Sequence, residues 1–284
     1  MTWKIEDRLG KSRAVGFALA LALLTTSPDA VAQSPSLFPT PLHLTREITD
    51  PISNTTTIVE EYYLGNTVVS VRGDLTSIAN HEKGELLQIN RSNTTYSVTS
   101  FSEIAKYRGR GQHRAGSLTQ STLPRPFEIQ PMAARGLAGR TAEVFAADLA
   151  SVDGTTRVEV AIDPAMTLSR DAVEVLIGAA WPNARGVEHD VILETSNRGG
   201  RLQASSPDVS GRATHRLPLE QILTWDVGGE SITMKNRVIR IGTETAPPDF
   251  VAIPPGATLV EADFIHADRL LDELDRLPSE EPRN

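Results

Sequence analysis

Between Thr55 and Ser100 the chain reads TTTIVEEYYLGNTVVSVRGDLTSIANHEKGELLQINRSNTTYSVTS. Runs of β-branched and aromatic residues alternate there with short polar turns. Thr55 to Leu64 predicts a strand, Gly65-Asn66 a two-residue hairpin turn, and Thr67 to Arg72 a second strand. Gly73-Asp74 turns again, Leu75 to Asn80 follows, and Glu82 to Glu85 leads into Leu86 to Asn90. Arg91-Ser92-Asn93 then connects to the strand Thr94 to Ser100. Spacings this short permit only antiparallel neighbours, because a parallel crossover needs a dozen or more residues. The stretch is a meander, and Leu42 to Ile48 extends it upstream.

Downstream, Ser100 and Glu103 stand at capping-box spacing and open a short helix near Phe101 to Tyr107. The segment 106–125 carries Lys106, Arg108, Arg110, Arg114 and Arg125 with no acidic residue and several glycines. It predicts a flexible basic loop, able to meet an acidic envelope partner or anionic headgroups. Further strands are expected at Phe127 to Ala133, Arg140 to Leu149 and Thr156 to Ile162, with Asp163-Pro164 ending the last. Ser169 caps a helix from Arg170 to about Ala180, with Ala172, Val175, Leu176 and Ala179 as its apolar stripe. Strands resume at Val187 to Thr195, Leu202 to Ser205, Ala213 to Leu217, Gln221 to Val227 and Ser231 to Ile241. A C-terminal helix at 263–277 and a disordered tail at 278–284 close a chain whose residues 42–262 form one domain. One long antiparallel sheet with two or three helices is an α+β fold.

The first 32 residues carry a different signal. Lys4, Arg8, Lys11 and Arg13 precede an apolar run from Ala14 to Leu24, and Ala30-Val31-Ala32 follows. This is the layout of a cleavable secretory signal peptide. Eleven apolar residues would cover about 16 Å as a helix, roughly half a bilayer core. Cleavage at Ala32 removes four basic residues and three acidic ones (Glu6, Asp7, Asp29), taking the net charge from −8 to −9. A periplasmic or secreted product, soluble and without a transmembrane segment, is expected. With no cysteine among the 284 residues, disulfides, thiol chemistry and a cysteine-linked lipid anchor are excluded. The acidic balance speaks against a nucleic-acid partner, which would require clustered Lys and Arg.

No constellation for chemistry stands out. The six histidines, His43, His81, His113, His189, His215 and His266, form no pair at three- or four-residue spacing, so no zinc-protease helix is present. Glu188-His189-Asp190 is the one local cluster, and on a strand its neighbours would alternate between faces. No nucleophile elbow and no phosphate-cradling glycine loop occurs. The expectation is a non-enzyme with no metal and no cofactor.

The hairpin bearing Tyr62, Tyr63, Gly65-Asn66, Val68, Val69 and Val71, then Gly84 to Asn90 and Thr95-Tyr96-Ser97-Val98, resembles the periplasmic lipoprotein-sorting carrier superfamily, the lipoprotein localisation factor fold, in its uncharacterised branch. Gly139 to Phe145, Val158 to Pro164 and Pro248 to Gly256 extend the likeness over roughly Leu42 to Val260. The resemblance implies a strongly twisted, incompletely closed antiparallel half-barrel, with two or three helices covering its concave face and an apolar groove beneath them. By alternation, Ile58, Tyr62, Ile89, Tyr96, Val98, Val158, Val160 and Ile162 are the candidate lining of that groove. Sequence does not separate a lined groove from a filled core. The implied function is an exported, non-enzymatic binding protein of the bacterial cell envelope that holds an acyl chain or a lipidated partner. The alternative is a structural or sensory protein-interaction module of the same fold with a filled core.

Overall fold

A computed structural model describes residues 36–51, 53–106, 127–150, 155–180, 187–198, 214–227 and 229–262. These belong to one compact unit beginning at Ser36. The expected signal peptide, most of the expected basic loop and the expected C-terminal helix and tail at 263–284 lie outside the described residues.

The meander is present where the turns predict it. β1 (Phe38–Thr49), β2 (Thr56–Gly65), β3 (Thr67–Arg72), β4 (Leu75–Asn80), β5 (Glu85–Asn90) and β6 (Thr95–Ser100) pair in sequence. Gly65 and Gly73 adopt φ of 63° and 54° as the first residues of two-residue turns, where only glycine is free of strain. Helix α1 at 101–106 starts from the expected capping box. The Glu103 amide donates to Ser100 Oγ, and the Ser100 amide donates to Glu103 Oε2, both at 3.2 Å. Beyond the basic loop come β7 (Gln130–Leu137), β8 (Arg140–Ala150) and β9 (Thr155–Ser169), then α2 (Arg170–Ala180) and α3 (Val187–Arg198). β10 (Thr214–Val227), β11 (Glu230–Gly242), the single-turn α4 (Pro248–Val251) and β12 (Thr258–Leu259) complete the described elements.

The twelve strands of the described residues join one open sheet in the order β12-β6-β5-β4-β3-β2-β1-β11-β10-β9-β8-β7, antiparallel except for the β12–β6 pair. This corrects the expected half-barrel with helices over its concave face. The described residues are mostly β, and the helices among them are too few and too short for that role. At 1.5 Å per residue, α2 and α3 are each about 17 Å long, the width of three to four strands at about 4.8 Å spacing. They lie on β8, β9 and β10, with α2 also sharing a cluster with Leu44 and Tyr63, and among the described residues no helix covers that face over β3 to β6.

Two further expectations are corrected. Residues Val187 to Thr195 form a helix, because Val191, Ile192 and Thr195 are buried at helical spacing. Asp163-Pro164 does not end β9. A register shift in the β9–β10 ladder absorbs the proline, and pairing resumes at Thr167.

Cross-strand partners share a face, so the ladders define two faces. The inner face bears Leu44, Tyr63, Val68, Val158, Val160 and Ile162. Helix α2 wedges into it, packing Ala172 and Leu176 with Leu44, Tyr63, Leu217 and Val238, and Val173 and Ile177 with Val158, Val160, Ile162, Val191 and Ile192. Ser169 caps α2 through its Oγ at 3.2 Å from the Ala172 amide. Each fully buried aliphatic side chain there contributes about 1.5–3 kcal/mol, which holds two short helices on the sheet.

Candidate functional site

The outer face is organised by two adjacent rows that cross the meander. One runs Val98, Leu87, Ile78, Val69, Tyr62, His43, and the next runs Tyr96, Ile89, Thr76, Val71, Glu60, Thr45. Each row passes from apolar residues at the β6 edge to polar residues on β1. Over them lies a strap, residues 243–257, which leaves the end of β11 near the middle of the sheet and delivers β12 to the β6 edge. The Thr258 and Val260 amides donate to the Thr94 and Tyr96 carbonyls at 3.0 and 2.8 Å. The strap, with its single-turn α4 against β4, explains why Ile89 and Thr76 are fully buried on this face.

Three contacts fasten the strap. At the β4–β5–β6 side, the Arg91 guanidinium donates to Thr76 Oγ1 at 2.8 Å and to the Phe250 carbonyl at 3.0 Å, and also to the Asp249 carbonyl. In the middle, Phe250 meets Tyr62 at a centroid distance of 6.4 Å. At the β1 side, Glu244 Oε2 lies 3.1 Å from His43 Nδ1.

His43 is the centre of a polar cluster. Its Nε2 lies 2.5 Å from Glu60 Oε2, which also accepts from Thr45 Oγ1 at 2.9 Å. The ring stacks on Tyr62 at 4.3 Å and 9°, and Arg240 bonds Glu244 at 2.5 Å. His43 is only 4% exposed, whereas the Glu244 side chain is 51% exposed. Burial, followed by the nearby Glu60 and Glu244 charges, raises the Tyr62 phenol above its usual range. A bond from its own backbone amide, then the bond to His43, holds the Glu244 carboxyl below the usual carboxylate range. A carboxylate on each ring nitrogen is satisfied only when both nitrogens donate, as an imidazolium. The ring therefore has no free nitrogen with which to take a proton from a substrate. The cluster is built to hold charges together. Among the described residues no group of three or more such side chains is placed to bind a metal ion.

Of the eight candidate groove residues, Tyr62, Ile89, Tyr96 and Val98 come together in the two outer rows. Ile58 shares their face two residues from Glu60 and is 46% exposed, and Val98 is 52% exposed. Val158, Val160 and Ile162 lie on the inner face, each fully buried under α2 and α3. The eight therefore do not line one groove. Sequence reasoning missed His43, Glu60 and Glu244, since nothing in a linear reading joins a histidine to a carboxylate 201 positions away. The one available signal was alternation, which places His43 on the face opposite Leu42 and Leu44.

Apolar side chains remain exposed where the strap reaches the edge: Val251, Ile253, Leu259 and Val260, beside Val98. Across β8 to β11 the outer face is instead a ladder of ion pairs. Glu220 sits between Arg135, Arg237 and Lys235, while Glu159 joins Arg135 to Arg157.

No protein-family model matches the sequence, and no curated protein matches it. Among solved structures, the chain aligns with one described as the structure of PNGF-II in C2 space group, with a TM-score of 0.35 and 9% identity. The alignment covers 82% of this chain and 33% of that one. The chain thus spans about one third of that protein, and a likeness of this size assigns neither fold nor activity. None of these comparisons points to the lipoprotein-sorting carriers.

Proposed function

We propose that the protein is an exported, non-enzymatic interaction module that takes an extended segment of a partner polypeptide on its outer face, at the β6–β12 edge. The observation that carries this reading is the filled inner face. Val158, Val160, Ile162, Val173, Ile177, Val191 and Ile192 occupy with side chains the space between sheet and helices that an acyl chain would need. The exposed apolar surface lies instead around Leu259, Val260 and Ile253. β12 is itself an added strand at that edge, so the edge geometry already suits a short extended segment. Export follows from the pattern of residues 1–32. Among the described residues no helix is long and apolar enough to cross a membrane.

Native mass spectrometry of the protein purified from its own host, without detergent, tests the filled core. The expected spectrum is that of the bare polypeptide. A bound acyl-chain molecule, removed by organic extraction and regained on re-addition, would restore the carrier reading.

A further inference from the structure

We propose that His43 is the pin of a proton-controlled latch that holds the strap, residues 243–257, against the outer face and frees its Glu244 end when the imidazolium loses a proton. The inference concerns the strap alone and stands whether or not the β6–β12 edge receives a partner.

The latch joins three elements. From β1 comes the ring itself, with Thr45 beside it. From β2 come Glu60 on Nε2 and Tyr62 stacked on the ring face, and from the strap comes Glu244 on Nδ1. β11 adds Arg240, bonded to Glu244, while across Tyr62 β3 presents the uncharged Val69. The charged groups around the ring are therefore Glu60, Glu244 and Arg240, with the Tyr62 phenol neutral. A second feature shows that this contact is built into the backbone. A Cβ placed on Gly242, the cross-strand partner of His43, would lie 1.8 Å from Glu244 Oε2. The Glu244 carboxylate occupies the space of the missing side chain in order to reach the ring.

Charge decides the state. With His43 protonated, two cations face two carboxylates and both ring nitrogens donate. Without that proton the cluster carries one net negative charge, and one ring nitrogen presents a lone pair to a carboxylate. Glu60 is fixed on a strand and held also by Thr45, whereas Glu244 is half exposed on a segment without a ladder. Glu244 is thus the carboxylate that leaves, and the proton passes to solvent. On the acid side the latch endures, because Glu244 keeps its charge below the usual carboxylate range. Only protonation of the carboxyl itself opens it there.

The absence of cysteine makes two-site labelling clean. Spin labels at I58C on β2 and at T245C, exposed on the strap beside Glu244, report their separation by double electron–electron resonance on the full-length protein. A series from about pH 5 to about pH 9 spans the imidazole range. The expected result is a single short distance on the acid side and a growing longer component above a midpoint. Once past it, the open-to-closed ratio rises about tenfold per pH unit, as release of one proton requires. That midpoint should coincide with the titration of the His43 ring seen by NMR. Glu244→Gln, whose amide can serve either ring form, should stay closed throughout. His43→Gln should show the longer component at every pH. An unchanged distance across the series in the parent protein, or the same opening in E244Q, overturns the proposal. Should H43Q not fold, E244Q on the exposed strap still decides it.

Discussion

A buried ionic side chain has to be matched by its neighbours. Arg46, Glu61 and Tyr63 illustrate this on the inner face, all three at 1% exposure or less. Arg46 Nε donates to Glu61 Oε2 at 2.5 Å, and the Tyr63 hydroxyl donates to the same oxygen at 2.7 Å. Burial, then the Glu61 charge, pushes the Tyr63 phenol far above its usual value, so it remains a donor at every working pH. His81 is the opposite case, a partly buried ring set edge-on to Phe101 at 5.2 Å. Burial lowers its pKa and favours the neutral form in the folded state. The unfolded chain then binds the proton more readily, near pH 6.5. The stability from His81 is fully present above that pH and is lost as pH falls through the folded-state value. Urea unfolding at pH 7.5 and pH 5.5 checks the sign. The parent protein should lose more of its midpoint on acidification than His81→Gln, and equal losses would contradict it.

Turns and caps made the elements legible. The hairpins of the meander, the Ser100–Glu103 box and the Ser169 cap were readable because each depends on residues within a few positions of one another. What sequence could not supply was tertiary. Val187 to Thr195 alternates well enough for a strand, and only packing of Val191 and Ile192 against β9 makes it a helix. Likewise, alternation identified Tyr62 and Val160 as inward-pointing within their own strands. Only the continuous ladder through β1, β11 and β10 shows that they point to opposite faces. The candidate site escaped for the same reason, since its carboxylates come from β2 and from the strap.

The β4–β5 and β5–β6 turns give an element-scale prediction. Both are four-residue loops in which the preceding asparagine side chain accepts local amides, Asn80 from Glu82 and Lys83, Asn90 from Ser92. Their fourth residues are left-handed, Gly84 at φ 67° and Thr94 at 55°. A β-branched residue pays for that conformation with about 1–2 kcal/mol, and Thr94 is exposed with no packing to lose. Thr94→Gly should therefore raise stability by about 1 kcal/mol in chemical denaturation, reduced somewhat by the greater freedom of glycine in the unfolded chain. Destabilisation would show that the Thr94 side chain contributes more than its backbone strain.

At the scale of the whole molecule, a twelve-stranded open sheet has two edges to protect. At one edge, β7 carries Pro131, a register shift and Arg135, features that discourage pairing. The other edge is treated differently. β12 covers β6 at only two residues, Thr95 and Tyr96, and around it lie the exposed Leu259, Val260 and Val98. Over β8 to β10 the inner face is occupied by α2 and α3, and the exposed apolar side chains at the strap and its edge are where we propose that a partner docks. The salt-bridge ladder over β8 to β11 pairs its own charges, with Glu220 buried among Arg135, Arg237 and Lys235, and needs no partner to satisfy it.

Site-specific photo-crosslinking in the cells that make the protein tests this account most directly. A photoreactive residue is placed at Leu259, on the proposed edge, or at Ile232, also exposed, on β11 and remote from it in the sheet. The account predicts one dominant polypeptide adduct from Leu259 and none from Ile232. Equal adducts from both positions, or none from Leu259, would contradict it.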